Sequence, residues 1–341
     1  MKALLLVLLC LGVFFPLPAQ DAADAPPAAA VTEKDEAAER LAKRIRLADE
    51  LEAQGDYGGA AQILGELADA DPDNVALLER VVGLLMRGEQ FQKAIPRLRK
   101  LLELKDGTAA DHGALARMMI ELGETEAAID FLQDAAKRFP ESAEFPFLLT
   151  FPLAQLERWN EAIAEFEKAI PLAENMPGKL DAGFYFRFGA AQERTGNFTE
   201  AEKLFHKTLD LLEENDPAVE NRDFKATVLN YLAYMWIERG EKLDESGPMA
   251  EEAARLSPGS GAIADTVGWY HFQKGNYPRA LVSLKKAENL IEEPDPVIFD
   301  HIGQTLAKLN EKEFAAGYFR KALELDPENK ALQKRLAELE E

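Results

Sequence analysis

The chain has 341 residues, enough for two ordinary domains or one elongated array. Its hydrophobic content of 47% argues against disorder over the whole length. A formal net charge of −22 argues against nucleic acid, which needs a basic face, and against an anionic membrane surface.

Residues 1–19 read as a secretory signal. Lys2 is a short positive region, Ala3 to Phe15 is an apolar run too short to span a bilayer, and Ala19 is a small residue at which cleavage is expected. Leu9 stands before Cys10, where a lipoprotein signal requires a small residue, so lipidation is not expected. Cys10 is the only cysteine, and without it disulfides contribute nothing. The expected address is periplasmic or secreted. Residues 20–40 form a spacer and lead-in: the Ala/Pro/Asp stretch up to Thr32 cannot bury enough apolar surface to order itself, and Glu33 to Arg40 is charged and helix-prone.

From residue 41 a single unit recurs. An Ala or Ser opens a buried helical face at Ala60, Ala94, Ala128, Ala162, Ala201, Ser246, Ala280 and Ala315, at spacings of 34, 34, 34, 39, 45, 34 and 35 residues. Four residues on from each stands a Leu or Phe, with Ala250 as the exception; three further on stands a small residue or Leu. The i, i+4, i+7 spacing puts these on one face of a helix. A preceding helix carries large-small pairs such as Phe188-Gly189, Val267-Gly268 and Ile302-Gly303, in which the small member admits a close crossing. Gly55, Gly88, Gly123, Gly196, Gly240 and Gly275 are the expected turn residues between the two helices. Aromatics at Tyr57, Phe91, Trp159, Phe198 and Tyr277 follow the turns and are expected to plug the hairpin ends.

The expected units lie near 41–74, 75–108, 109–142, 143–177, 182–216, 226–260, 261–295 and 296–329, with an amphipathic cap at 330–341. Two joints, Pro171 to Asp181 and Glu213 to Phe224, lengthen the period and are expected to be loops. In unit four, Pro152 lies inside the first helix and is expected to kink it.

The stretch Gly261 to Asn329 holds two consecutive copies, with Gly268, Ala280, Leu284 and Ala287 in one and Gly303, Ala315, Phe319, Ala322 and Pro327 in the other. This pattern resembles the tetratricopeptide repeat (TPR) family. The resemblance implies an all-α fold, a right-handed superhelical solenoid of about eight helical hairpins with a C-terminal capping helix. It also implies that the first helices line a concave groove. Carried onto this chain, the family's ligand positions include Asp49, Glu79, Arg87 and Arg117 in units one to three. In the later units they are Phe147 and Phe151, Phe186 and Glu193, Asn230 and Tyr234, Asp265, Trp269 and Phe272, and Asp300 and Gln304. The reading is an aromatic stripe with acidic and amide neighbours. Some members of the family clamp a C-terminal carboxylate with Lys, Arg and Asn; here Asp265 and Asp300 stand in place of basic residues and would repel one.

No catalytic constellation is evident. His112, His206, His271 and His301 are dispersed, and there is no HExxH, CxxC or phosphate-binding glycine loop. His271 and His301 could approach each other across adjacent units, more plausibly as interface residues than as a metal pair. The expectation is a non-enzymatic scaffold of the cell envelope, without cofactor or metal. Its groove would hold a neutral or basic peptide or protein partner. The alternative is a purely structural or oligomer-forming module, in which the same aromatics only pack.

Overall fold

The computed structural model describes residues 33–174, 180–214 and 221–340. The expected signal and the spacer up to residue 32 lie outside the described residues. Among the described residues all regular structure is helical, in seventeen helices. The chain divides between Leu156 and Glu157 into two compact units.

The first unit contains α1 (Glu33–Ala53), α2 (Tyr57–Ala70), α3 (Val75–Arg87), α4 (Phe91–Leu104), α5 (Ala109–Glu121), α6 (Thr125–Arg138) and α7 (Glu144–Gln155). The charged lead-in is thus the opening of α1 itself. Helix starts are set by short polar side chains that satisfy otherwise unpaired N–H groups. Asp56 accepts from Gly59 N, Asn74 accepts from Leu77 N, and Thr108 forms a reciprocal capping box with Asp111. Gly55 and Gly123 adopt the left-handed conformation at their turns, with φ of 83° and 77°.

Gly88 lies in its expected turn but is not the left-handed residue there. The left-handed residue there is Glu89, φ 55°, while Gly88 has φ −82°. What Gly88 provides is room: a Cβ on it would stand 3.3 Å from both Leu84 O and Tyr57 Cβ. In α7, Pro152 removes the N–H that would bond Leu148 O, and the helix ends three residues later, at Gln155.

The second unit contains α8 (Trp159–Ala173), α9 (Ala182–Arg194), α10 (Phe198–Glu214), α11 (Arg222–Glu238), α12 (Leu243–Leu256), α13 (Gly261–Gln273), α14 (Tyr277–Leu290), α15 (Pro296–Lys308), α16 (Lys312–Leu325) and α17 (Lys330–Glu340). The fourth expected hairpin straddles the division, with α7 in one unit and α8 in the other. The ends of the two joints are helical, while their middles, residues 175–179 and 215–220, lie outside the described residues. Pro171 still belongs to α8, and α10 and α11 run to 17 residues each, taking in Glu213 at one end and Phe224 at the other. Leu212 is buried near the end of α10, so helical burial continues into what looked like linker.

All eight Ala/Ser markers are fully buried. The reason is close helix crossing. A Cβ on Gly268 of α13 would stand 2.6 Å from Leu284 Cγ of α14, and one on Gly303 of α15 would stand 2.5 Å from Phe319 Cε1 of α16. Small residues on one helix receive a Leu or Phe from the other, each such burial contributing about 1.5–3 kcal/mol. The last helix, α17, closes this core by inserting Leu332, with Leu336 and Leu339 partly buried beside it.

Candidate binding face

In the first unit the opening-helix positions are tied up in ion pairs. Arg80 of α3 reaches back to Asp49 and Glu52 of α1, the latter at 2.9 Å, and Arg87 also meets Glu52. Lys105 pairs with Glu79, and Arg117 of α5 with Glu144 of α7. The candidates Asp49, Glu79, Arg87 and Arg117 therefore bond within the chain. Phe147 and Phe151 sit edge-to-face on α7 with ring centroids 6.0 Å apart; Phe151 is 40% exposed and Phe147 half-buried.

The other candidates belong to the second unit, so the expected stripe is divided between two units rather than continuous in one. Phe186 of α9 is half-buried and packs edge-on against Phe224 at 5.4 Å and Tyr231 at 5.1 Å. Glu193, on the same helix, lies 3.6 Å from Arg194.

A cluster of the remaining candidates begins with four residues spaced by 35: Asn230 of α11, Asp265 of α13, Asp300 of α15 and Arg335 of α17. They occupy the same position in successive repeats. Each acid is met by a cation from the following repeat. His301 Nδ1 lies 2.9 and 3.0 Å from the two carboxylate oxygens of Asp265. Arg335 Nη1 donates to Asp300 Oδ2 at 2.8 Å, and Gln304 Nε2 donates to the same oxygen at 3.0 Å. His301 Nε2 faces Glu238 of α11 at 4.0 Å. Three opening helices thus meet at one imidazole.

Rings build the rest of the cluster. Trp269 is stacked between His301, 3.9 Å centroid to centroid, and Phe272, 4.3 Å, both nearly parallel to it. Trp269 and Asp265 are each only 5% accessible, so both side chains lie inside the stack. Covering both faces of an indole with rings removes more apolar surface than exposure on one face would, and the stack adds about 0.5–1.5 kcal/mol per ring pair. Tyr234, Phe272, Asn230, Asp300 and Gln304 are half-buried around it.

Burial drives the electrostatics. Tyr234's phenol is pushed well above its ordinary value, by burial first and then by Glu238 and Asp265. Asp300's carboxyl is raised by burial despite Arg335. At His301 burial pulls downward, but the charge and hydrogen bond of Asp265, with Glu238 and Asp300 behind it, outweigh burial and leave the imidazole above its usual value. Three polar atoms of the face are buried without a protein partner: Asn230 Oδ1, Trp269 Nε1 and Asp300 Oδ1.

The two histidines considered together have different neighbours. His271 lies against Tyr270 and is pulled downward by burial and Arg279, while His301 turns to Asp265. Among the described residues no group of three His, Cys, Asp or Glu is arranged to hold a metal. The hydroxyls beside the cluster are used by the backbone: Thr305 donates to His301 O and Thr266 to Ala262 O. Two clefts lie away from this face. One, of about 750 Å³, is lined by Gly58, Ala61 and Gly65 of α2 and Pro96 and Arg97 of α4. The other, of about 620 Å³, lies between Gln192, Asn197 and Phe198 and the Trp236–Arg239 end of α11.

Within each unit, helix pairs with small residues at their crossings define the architecture. Profiles of the tetratricopeptide repeat match residues 51–118, 114–142 and 298–329. The fold is a tetratricopeptide-repeat array. Among solved structures it is similar to the Cut9–Hcn1 hetero-tetramer of APC/C (14% identity, TM-score 0.55, covering 91% of this chain and 60% of that one). It is also similar to Acl4, the assembly chaperone of RpL4 (14%, 0.51, 68% and 95%), and to pilF of Pseudomonas aeruginosa (16%, 0.50, 68% and 98%). This chain spans only about 60% of the length of the first of these. At such identities the likeness is one of fold. A search by sequence against characterised proteins finds no match.

The last profile match takes in Asp300, His301 and Gln304 of the array, while Asn230, Tyr234, Asp265 and Trp269 lie outside all three matched stretches. Sequence reasoning missed Glu238 and Arg335, and it did not join His301 to Asp265. The available signal was the 35-residue ladder, whose fourth member is a cation one repeat after Asp300.

Among the described residues no helix is long and apolar enough to cross a membrane.

Proposed function

We propose that this chain is a non-enzymatic scaffold of the cell envelope. It would hold an extended, neutral or basic segment of a protein partner along the opening helices of its second unit. The observation that carries this reading is the set of buried, unpartnered polar atoms on three successive opening helices: Asn230 Oδ1, Trp269 Nε1 and Asp300 Oδ1. A peptide backbone carries both kinds of group they lack, N–H for the two oxygens and C=O for the indole, and would reach them only by displacing the side chains that enclose them. The fold neighbours include an assembly chaperone and a subunit of a hetero-tetramer, roles of the same kind.

The test is selection of a random peptide library on the full chain. Enriched peptides should bind at least about tenfold more weakly to a variant with Asn230→Arg and Gln304→Arg, a loss of ~1.4 kcal/mol. Equal binding to both proteins would remove the face from consideration. The structural alternative draws support from the burial of Trp269 in a ring stack. It predicts no enriched peptide at all, together with a change of oligomeric state in the same variant. Export rests on the leader residues alone. N-terminal sequencing of the mature protein should begin downstream of Ala19, and a cytoplasmic chain retaining Met1 would refute it.

A further inference from the structure

His301 stands between two carboxylates that belong to two other helices. Its Nδ1 lies 2.9 and 3.0 Å from the oxygens of Asp265 on α13, and its Nε2 faces Glu238 of α11 at 4.0 Å. Only the doubly protonated ring presents an N–H to both. Either neutral tautomer turns a bare nitrogen lone pair toward one of the two acids. The ring also lies flat on Trp269, 3.9 Å centroid to centroid, and a charged imidazole is drawn to that face more strongly than a neutral one. Three contacts, with α11, with α13 and with the indole, thus draw on one proton. His301 is only 3% accessible, so water does not replace them. The Tyr234 phenol hydrogen-bonds Glu238 and fixes it from its own helix.

We infer that His301 is a proton-operated latch: its charged ring holds α11 and α13 to α15 and keeps Trp269 covered, and loss of the proton lets α15 ease away and uncovers the indole. Resting on the proposed peptide-binding role of this face, the latch regulates that role. Asn230 Oδ1, Trp269 Nε1 and Asp300 Oδ1 are enclosed while it is shut, and a peptide meets them at lower cost once it opens.

The charges that face the ring are Asp265 from α13, Glu238 from α11 and its own helix's Asp300, which Arg335 of α17 and Gln304 engage. Asp295 at the cap of α15 acts on Tyr234. Burial alone would strip the proton from His301, but the acids outweigh it and hold the imidazole above its ordinary value near 6.5. The shut form is therefore favoured in full below that ordinary value and gives way as pH rises through the raised one. Tyr234, pushed well upward by burial, keeps its proton throughout.

The test needs no ligand. It follows solvent exchange of the Trp269 indole N–H in the full chain, one of three indole signals, assigned with Trp269→Phe. The rate is expressed as protection, so that the pH dependence of the group's own exchange divides out. Protection should be at least about tenfold higher at about pH 6 than at about pH 9. His301→Gln, whose amide carries no charge, should give lower protection that stays level over this range. Glu238→Gln removes the acid of α11 alone and should reduce the ratio to about threefold. That side chain is 50% exposed, so its replacement leaves packing in place. Glu245→Gln, an exposed acid on α12, should leave the ratio intact. Protection that stays level or rises with pH in the wild type overturns the inference, and so does a His301→Gln variant that keeps the tenfold change. Should His301→Gln fail to fold, Glu238→Gln decides, and an undiminished ratio there overturns the inference as well. With no peptide present, these outcomes judge the latch alone, and the library selection judges the peptide-binding role separately.

Discussion

The two units use the same repeat, and they treat charge on their opening helices in opposite ways. In the first, Arg80 and Arg87 meet Asp49 and Glu52 across α1 and α3 at a wet surface, with side chains between 25% and 52% exposed. In the second, Asp265 and His301 bridge α13 and α15 almost out of reach of water, under the ring of Trp269. Both units keep a fully buried small residue in every second helix. The repeat therefore fixes how each hairpin closes and leaves the face of the opening helix free to vary. One unit has filled that face with solvent-screened pairs. The other has placed a buried polar cluster there, and a cluster with unpartnered atoms is where binding energy can be gained.

The most direct test of this contrast is removal of one acid from each unit. Asp265→Ala removes the buried partner of His301; burial then favours the neutral imidazole, left with an unmet ring N–H, and the cost should be about 1–3 kcal/mol. Asp49→Ala removes one arm of an exposed pair and should cost less than about 1 kcal/mol. All three tryptophans, Trp159, Trp236 and Trp269, lie in the second unit, so urea unfolding followed by their fluorescence reports on that unit. Hydrogen exchange of α3 peptides reports on the first. A cost for Asp265→Ala below about 1 kcal/mol would mean that the buried pair does not hold α13 to α15, and the distinction between the units would fail.

A second separation comes from two helix-interior glycines. A Cβ on Gly83 of α3 meets nothing within 4 Å, so Gly83→Ala should stabilise the first unit by about 0.5–1 kcal/mol through helix propensity. In α13 a Cβ on Gly268 would stand 3.1 Å from Leu284 N as well as 2.6 Å from its Cγ. Backbone cannot yield as a side chain can, and Gly268→Ala should destabilise the second unit by about 1–3 kcal/mol. Melting of the two variants should move in opposite directions; movement in the same direction would show that the crossing of α13 and α14 is looser than the contacts imply.

These examples also mark what was legible in the sequence. Ala60, Ala280 and Ala315 were readable because a small residue at a helix crossing recurs at a fixed period and tolerates little else. The hairpins followed from them. The left-handed residue at Glu89 was not readable beside Gly88, since a glycine is needed both for positive φ and for close approach, and the letter does not say which. The site was half legible. Asp265, Trp269 and Asp300 were identified as residues of the inner face, but whether such a side chain is exposed depends on what the next repeat lays over it. His301 sits 36 residues from Asp265, one step off the 35-residue ladder, so the spacing that marks the ladder does not mark their contact.

The finest test is pH, because titration changes one charge while every packing contact stays. His301 binds its proton more tightly in the folded chain than in the unfolded one. Its contribution is therefore complete below the ordinary histidine value near 6.5 and lost as pH rises through the folded value. Asp300 acts in the same sense: its raised carboxyl is a burden when ionised, and the burden lifts as pH falls through the folded value toward the ordinary 3.8. In the first unit Glu52 goes the other way. Burial raises it, but the hydrogen bonds and charges of Arg87 and Arg80 prevail and hold it below 4.5, so its contribution is present above that value and lost as pH falls through the depressed one. Between about pH 9 and pH 5 the tryptophan-detected transition should shift to higher urea concentration on acidification, while α3 exchange protection stays level; below about pH 4.5 that protection should fall. Glu238→Gln removes one of the charges that keep His301 protonated, and should reduce the upward shift of the second unit without touching the first. A second unit that instead weakens between pH 9 and pH 5 would mean that desolvation, not Asp265, governs His301, and the imidazole could not then serve as the charged link between three opening helices.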